Sequence, residues 1–184
     1  MYNDARDGNI YSQATTPAGL AIPIYTATAL GGGALPIWNP PRSGKDVEII
    51  EVSCARTSGT ADFGAIGLMI RPLDAIATGA VMTAMAATLP INGRLNKGQG
   101  SSTQSSNAGT NTVTAGAATD WYRTLFTINL EADTGTAHAT TLAVYQANGS
   151  LFVPPGHLIY LAATKASVAL YASHIVWRET PTLG

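Results

Sequence analysis

The stretch Leu35–Thr57, LPIWNPPRSGKDVEIIEVSCART, decides the fold class. It opens with dense turn chemistry. Asn39, Pro40 and Pro41 are followed by Ser43 and Gly44, which supplies two fixed φ angles, a side chain that caps turns and a permissive glycine. Directly after the turn, Val47, Ile49, Glu51 and Ser53 alternate with Glu48, Ile50, Val52 and Cys54. Both sets carry apolar residues, and Glu48 and Glu51 fall on opposite faces. That pattern predicts a strand buried on one side and partly covered on the other.

Working outward, the same texture recurs. Residues 19–30, GLAIPIYTATAL, have the β-branched and aromatic content of a strand, with Pro23 demoting part of it to an edge or a bend before Gly31–Gly33 break the chain. Residues 63–72, FGAIGLMIRP, read as a second strand whose Gly64 and Gly67 let another backbone come close. Residues 73–90 mix helix-favouring Ala and Met with strand-favouring Thr78, Val81, Thr83 and Thr88, and are read as strand. Residues 92–111 form a long Gly/Ser/Asn loop. Strand character returns in NTVTAG, WYRTLFTINLE, ATTLAVYQA, SLFVP, HLIYLAATK and SVALYASHIVWRE. In the last of these, Val168, Leu170, Ala172, His174, Val176 and Arg178 share one face, and Ala169, Tyr171, Ser173, Ile175, Trp177 and Glu179 the other.

Eight or so short strands separated by turn signals, with hardly a helix, predict an all-β protein, a β-sandwich or jelly roll. No fixed-period repeat points to a propeller or solenoid. The first 18 residues mix charge with Asn, Gly, Ser and Thr without periodicity and end at Pro17. They read as an extended N-terminal arm, 1–18, ahead of a β-sandwich domain, 19–184.

At 184 residues, one domain can bury a proper core without disulfide or metal staples. Charged residues are only 11% of the chain, against roughly 25% in an average soluble domain. A surface so poor in Lys and Glu suits a protein held against other subunits, because interface centres are depleted in those residues. The net charge of −1 and the scattered Lys and Arg form no basic stripe, which argues against nucleic acid as a partner. The opening residues lack the pattern of a signal peptide, and no run of about 18 apolar residues points to a membrane span. Asn148-Gly149-Ser150 matches a glycosylation sequon, read as chance.

Nothing in the motifs points to catalysis, and the chain reads as non-enzymatic, with no cofactor and no metal. Nucleophile-elbow, zincin and P-loop sequences do not occur. His138, His157 and His174 each stand without a second ligand at metal spacing. The single cysteine, Cys54, lies in an apolar strand and reads as a buried small hydrophobe. Glu131 and Asp133 read as a solvated strand end, and Trp121, beside Asp120, Tyr122 and Arg123, as a core or interface residue.

Two segments carry a family resemblance. LPIWNPPRSGKDVEIIEV resembles the W-N-P-x-x-S-G-K turn and strand of small phage virion proteins, and VPPGHLIYLAATKASVALYASHIVWRETP resembles their C-terminal P-P-G and aromatic-W-x-E-x-P hairpin. Together they span roughly a quarter of the chain. The loop 92–111 and Pro23 depart from that pattern. The resemblance implies a jelly-roll or tumour-necrosis-factor-like trimer that decorates a capsid or forms head or tail fibres. The expected role is a capsid decoration (cement) protein, made in the host cytoplasm and bound to the major capsid protein on the exterior of a bacteriophage virion. The alternative is a fibre-head or receptor-binding domain that recognises host surface glycans through the 92–111 loop and Trp121. Tyr2, Ile10 and Tyr11 in the arm are candidate capsid contacts. Tyr171, Ile175 and Trp177 are candidates for the core or for subunit contact, and His174 could meet its copies on a trimer axis.

Overall fold

The computed structural model describes residues 9–27, 32–59, 64–72, 91–92, 104–105, 120–128, 142–166 and 168–182. Strand makes up 64% of them and no α-helix is present among them, which places the chain in the all-β class. The strands are β1 (Ile10–Ala14), β2 (Ile37–Asn39), β3 (Lys45–Ser58), β4 (Gly64–Pro72), β5 (Ile91–Asn92), β6 (Gln104–Ser105), β7 (Trp121–Ile128), β8 (Leu142–Gln146), β9 (Phe152–Val153), β10 (His157–Ala163) and β11 (Leu170–Pro181).

They form two antiparallel sheets. One runs β5-β1-β11-β3-β8, with β9 also on β3, and the other runs β6-β2-β10-β4-β7. Early strands pair with late ones throughout: β1 with β11, β2 with β10, β3 with β8 and β9, and β4 with β7. The chain is thus a long antiparallel ribbon rolled so that its successive pairs fall alternately in the two sheets. Two antiparallel sheets facing each other in this way make a β-sandwich.

The turn chemistry ahead of β3 has a direct structural cause. Asn39 is fully buried, and its Nδ2 donates to the carbonyls of Lys45 at 2.8 Å and Val153 at 2.9 Å. One amide therefore ties the end of β2 to the start of β3 and to β9 in the opposite sheet. Between them, Arg42 and Gly44 take left-handed φ angles of 66° and 67°.

The core lies between the sheets and includes Ile37, Val47, Ile49, Leu68, Leu161 and Trp177. Along β11 the alternation is unbroken, with Tyr171, Ser173, Ile175, Trp177 and Glu179 buried and the even-numbered residues turned outward. On β3 it breaks. Trp177 pairs with Ile49 and Val176 with Glu51, so Ile50 is a bulge. The inserted residue switches the inward set from Val47 and Ile49 to Val52 and Cys54, all buried. Apolar residues on both alternating sets of this strand follow from that switch. Gly67 also behaves as its strand position requires: a Cβ there would stand 2.6 Å from the Arg123 carbonyl and 2.4 Å from the Trp121 ring.

Three expectations need correction. Residues 10–14 are not part of an arm outside the sandwich. They form β1, paired along its whole length with β11, and Tyr11 and Gln13 are buried. The strand was hidden because its partner lies about 160 residues downstream, and Ser12 and Gln13 interrupt its apolar pattern. Within 19–30, the described part is not a strand but two isolated bridges, Leu20 to Tyr171 and Ile24 to Ala163. Gly19, at φ 78°, passes too close to the Tyr171 backbone for a side chain. The 92–111 segment is not structureless throughout, since Gln104–Ser105 pairs with β2. The strands read in 73–90 and 111–116 lie outside the described residues.

Candidate interaction surface

Because β11 alternates without interruption, its even-numbered residues form the spine of an outward face. Strand register extends that face into rows. Ile10, Arg178, Glu48 and Phe152 make one row, and Ser12, Val176, Glu51 and Gln146 the next. Ala14, His174, Ser53 and Val144 follow, then Ala172, Ala55 and Leu142.

Among these four rows charge is confined to the first two, and Asp46 stands beside Thr180 in the row beyond them. Glu48 is buried, and its Oε2 accepts from Arg178 Nε at 2.9 Å and Nη2 at 2.5 Å. Glu51 accepts from Gln146 Nε2 at 2.5 Å. A cavity of about 240 Å³ opens beside the ion pair, lined by Glu48, Ile50, Asn148, Gly149 and Arg178. Its rim is a tight turn in which Asn148 and Gly149 both have positive φ and Ser150 N donates to Ala147 O. The backbone rejoins β3 on both sides of that turn, through Ala147 N to Ile50 O and Ile49 N to Leu151 O. The turn is therefore a local excursion of one strand.

The last two rows are small and apolar, except for Ser53 and His174. Burial holds the His174 pKa below the usual imidazole value, with Glu51 opposing the shift. On β8, Leu142 is 62% and Val144 47% exposed, and on β9 Phe152 is 49% exposed. Edge strands of free proteins are commonly guarded by charge. The sequence of β8, LAVYQ, contains none.

A second cluster sits where β7 of one sheet meets β8 of the other. The Arg123 guanidinium donates to the Tyr145 hydroxyl and, at 3.0 Å, to Ser150 Oγ. It also lies 5.6 Å from the ring centre of Tyr122, which is 46% exposed.

The residues singled out by sequence divide sharply. Tyr11 stacks on Trp177 with ring centres 6.0 Å apart, inside the core, so it cannot serve as an exposed capsid contact. Ile10 is half-buried on the outward face beside Arg178. Tyr171, Ile175 and Trp177 are buried within the single chain and form core, not subunit contact, because the bulkier side of β11 is the one turned inward. Trp121 is half-buried over Gly67 and meets the Tyr25 ring edge-on. Cys54 is buried, and desolvation pushes its thiol up to about 11. His157 is half-buried, with Nδ1 3.1 Å from the Pro155 carbonyl oxygen. Tyr2, Glu131, Asp133 and His138 lie outside the described residues.

Sequence reasoning did not single out Leu142, Val144 and Phe152. The signal for Leu142 and Val144 was the charge-free alternation of LAVYQ, which does not reveal which of its two faces is outward, and Phe152 lies in a two-residue strand too short to show any alternation. Among the described residues, no group of His, Cys, Asp and Glu could hold a metal ion, and no helix is long and apolar enough to cross a membrane. No family model, curated protein or solved structure matches the chain.

Proposed function

We propose that this chain is a non-catalytic structural subunit of a bacteriophage particle, a homotrimeric jelly roll that binds the major capsid protein on the capsid exterior and stabilises the shell. The observation that supports this reading most is the outward face of the β1–β11–β3–β8 sheet. It is poor in charge and exposes Leu142 and Val144 on β8, a charge-free strand at the end of the sheet order among the described residues. Large apolar groups in that setting mark association surfaces. The low charge of the whole chain and the two virion-like segments point the same way.

Adhesion would be multivalent. Three modest contacts on one rigid trimer act at high effective concentration, and avidity can exceed a single affinity by about 10² to 10⁴. In a cosedimentation assay with capsids lacking this chain, the protein should pellet with the shells and raise their melting temperature. Failure to bind would overturn the reading.

A receptor-binding domain for host glycans is the second reading, favoured by exposed Tyr122 beside Arg123. Trp121, packed over Gly67, contributes less to it than its sequence context suggests. A glycan array separates the two, since a decoration protein stays silent on it.

A further inference from the structure

We propose that the cavity beside the Glu48–Arg178 ion pair is a binding site for one neutral sugar ring, the terminal residue of a glycan. This inference rests on the glycan-binding reading above and gives it a pocket.

Three features of the cavity select that ligand. The first is a carboxylate oxygen to which no described residue donates. The Glu48 side chain is only 10% exposed, and both bonds from Arg178 fall on Oε2. Oε1 accepts no hydrogen bond from any described residue and faces the turn, where a Cβ on Gly149 would stand 3.6 Å from it. A buried polar atom in that state is costly, and a ligand that donates to it removes the cost. A carboxylate only accepts, so the ligand must bring O–H or N–H groups.

The second is charge balance. Arg178 already neutralises Glu48, so an ammonium group in the cavity would meet the guanidinium, and a carboxylate or phosphate would meet Glu48. Hydroxyls carry no such penalty. Asn148, on the rim, has an amide that both donates and accepts, which matches the double capacity of a hydroxyl. Ile50 gives the cavity an apolar side, and Phe152, 49% exposed, stands next to Glu48 in the same row. Hydroxyls set around an apolar ring face are the chemistry of a sugar.

The third is size and rigidity. A volume of about 240 Å³ lies below the roughly 300–1,000 Å³ of pockets for drug-sized ligands, so the cavity holds one ring and not a chain. Its rim is built before a ligand arrives. Backbone bonds tie the turn to β3 on both sides, and Ser150 Oγ donates to the Ala147 carbonyl at 2.6 Å. Arg123 donates to the same Ser150 Oγ at 3.0 Å, which makes it a positioning residue for the pocket. A fixed rim lowers the ordering penalty of binding.

Amide chemical shifts of the full chain, titrated with the methyl glycosides of glucose, galactose and mannose, test this. At least one should shift Glu48, Ile50 and Gly149 at millimolar concentration, whereas methyl glucuronide and glucosamine should not. Asn148→Gly, which suits the left-handed turn, should weaken binding about tenfold by removing one hydrogen-bonding group. Ile50→Trp, which fills the cavity from a half-buried position, should abolish binding with an unchanged far-ultraviolet circular dichroism spectrum. Shifts that centre on Tyr122 and survive Ile50→Trp would overturn the pocket while the glycan reading stands. Preference for the charged sugars would overturn the neutral class. If no glycoside shifts any amide while a glycan array is positive, the pocket alone fails. If the array is silent as well, the glycan reading falls with it.

Discussion

Truncating Tyr11 to alanine separates a core strand from a loose arm. Its ring is 2% exposed and stacks on Trp177 at an interplanar angle of 24°. Burial of an aromatic side chain removes about 150–250 Å² from water. At about 25 cal/mol per Å², that is worth roughly 4–6 kcal/mol as an upper bound. A compact unfolded state already hides part of the area, so the loss falls to about 3 kcal/mol, the lower end of measured aromatic truncations. For a domain of this size, about 2–4 °C is lost per kcal/mol, so the melting temperature should fall by roughly 6–12 °C. Thermal melts followed by circular dichroism would show it. A double-mutant cycle with Trp177→Leu should return a coupling of about 0.5–1.5 kcal/mol from the stacked pair. If Tyr11→Ala melts within about 2 °C of wild type, β1 is not held in the sheet and the arm reading returns.

Three further outcomes follow from packing and titration. Gly67→Val should destabilise the fold and weaken the β4–β7 pairing, visible as faster amide exchange in β7, because the new side chain collides with the Trp121 ring and the Arg123 carbonyl; unchanged exchange would refute the close approach. Burial lowers the His174 pKa in the fold, so the unfolded chain binds the proton more readily, and stability should fall as pH drops through and below 6.5. His174→Gln should flatten urea midpoints over that range, and an equally sloped variant would discount the residue. Cys54, raised to about 11 by desolvation, should resist a disulfide reagent at pH 8 until the protein is unfolded. Its stability contribution should decline above pH 9, where only the unfolded thiol ionises, and rapid native labelling would contradict its burial.

The class of fold was legible because period-two alternation and Pro/Gly turn chemistry are local. Asn39-Pro40-Pro41 announced a turn, and the structure adds that the Asn39 amide also reaches Val153 in the other sheet. Pairing was not legible. β1 finds β11 across most of the chain, and five residues with Ser12 and Gln13 among them offer no pattern that reveals it. Bulges defeat parity, as Ile50 does in β3. Asn148-Gly149, a strong hairpin dipeptide, instead makes an excursion whose two sides rejoin one strand. For the surface, alternation divided β11 correctly into two faces. The aromatic face drew attention as a contact, but side-chain bulk belongs to the core. The small-residue face is the one turned outward.

As proposed above, this chain is a structural component of a phage particle's exterior. The most direct measurement is imaging of intact particles produced with and without it. Extra density is expected at regular, symmetry-related positions on the outer shell of particles that contain the chain, each feature fitting three copies of the sandwich, and a bare shell when it is absent. Identical particles in both preparations would contradict it.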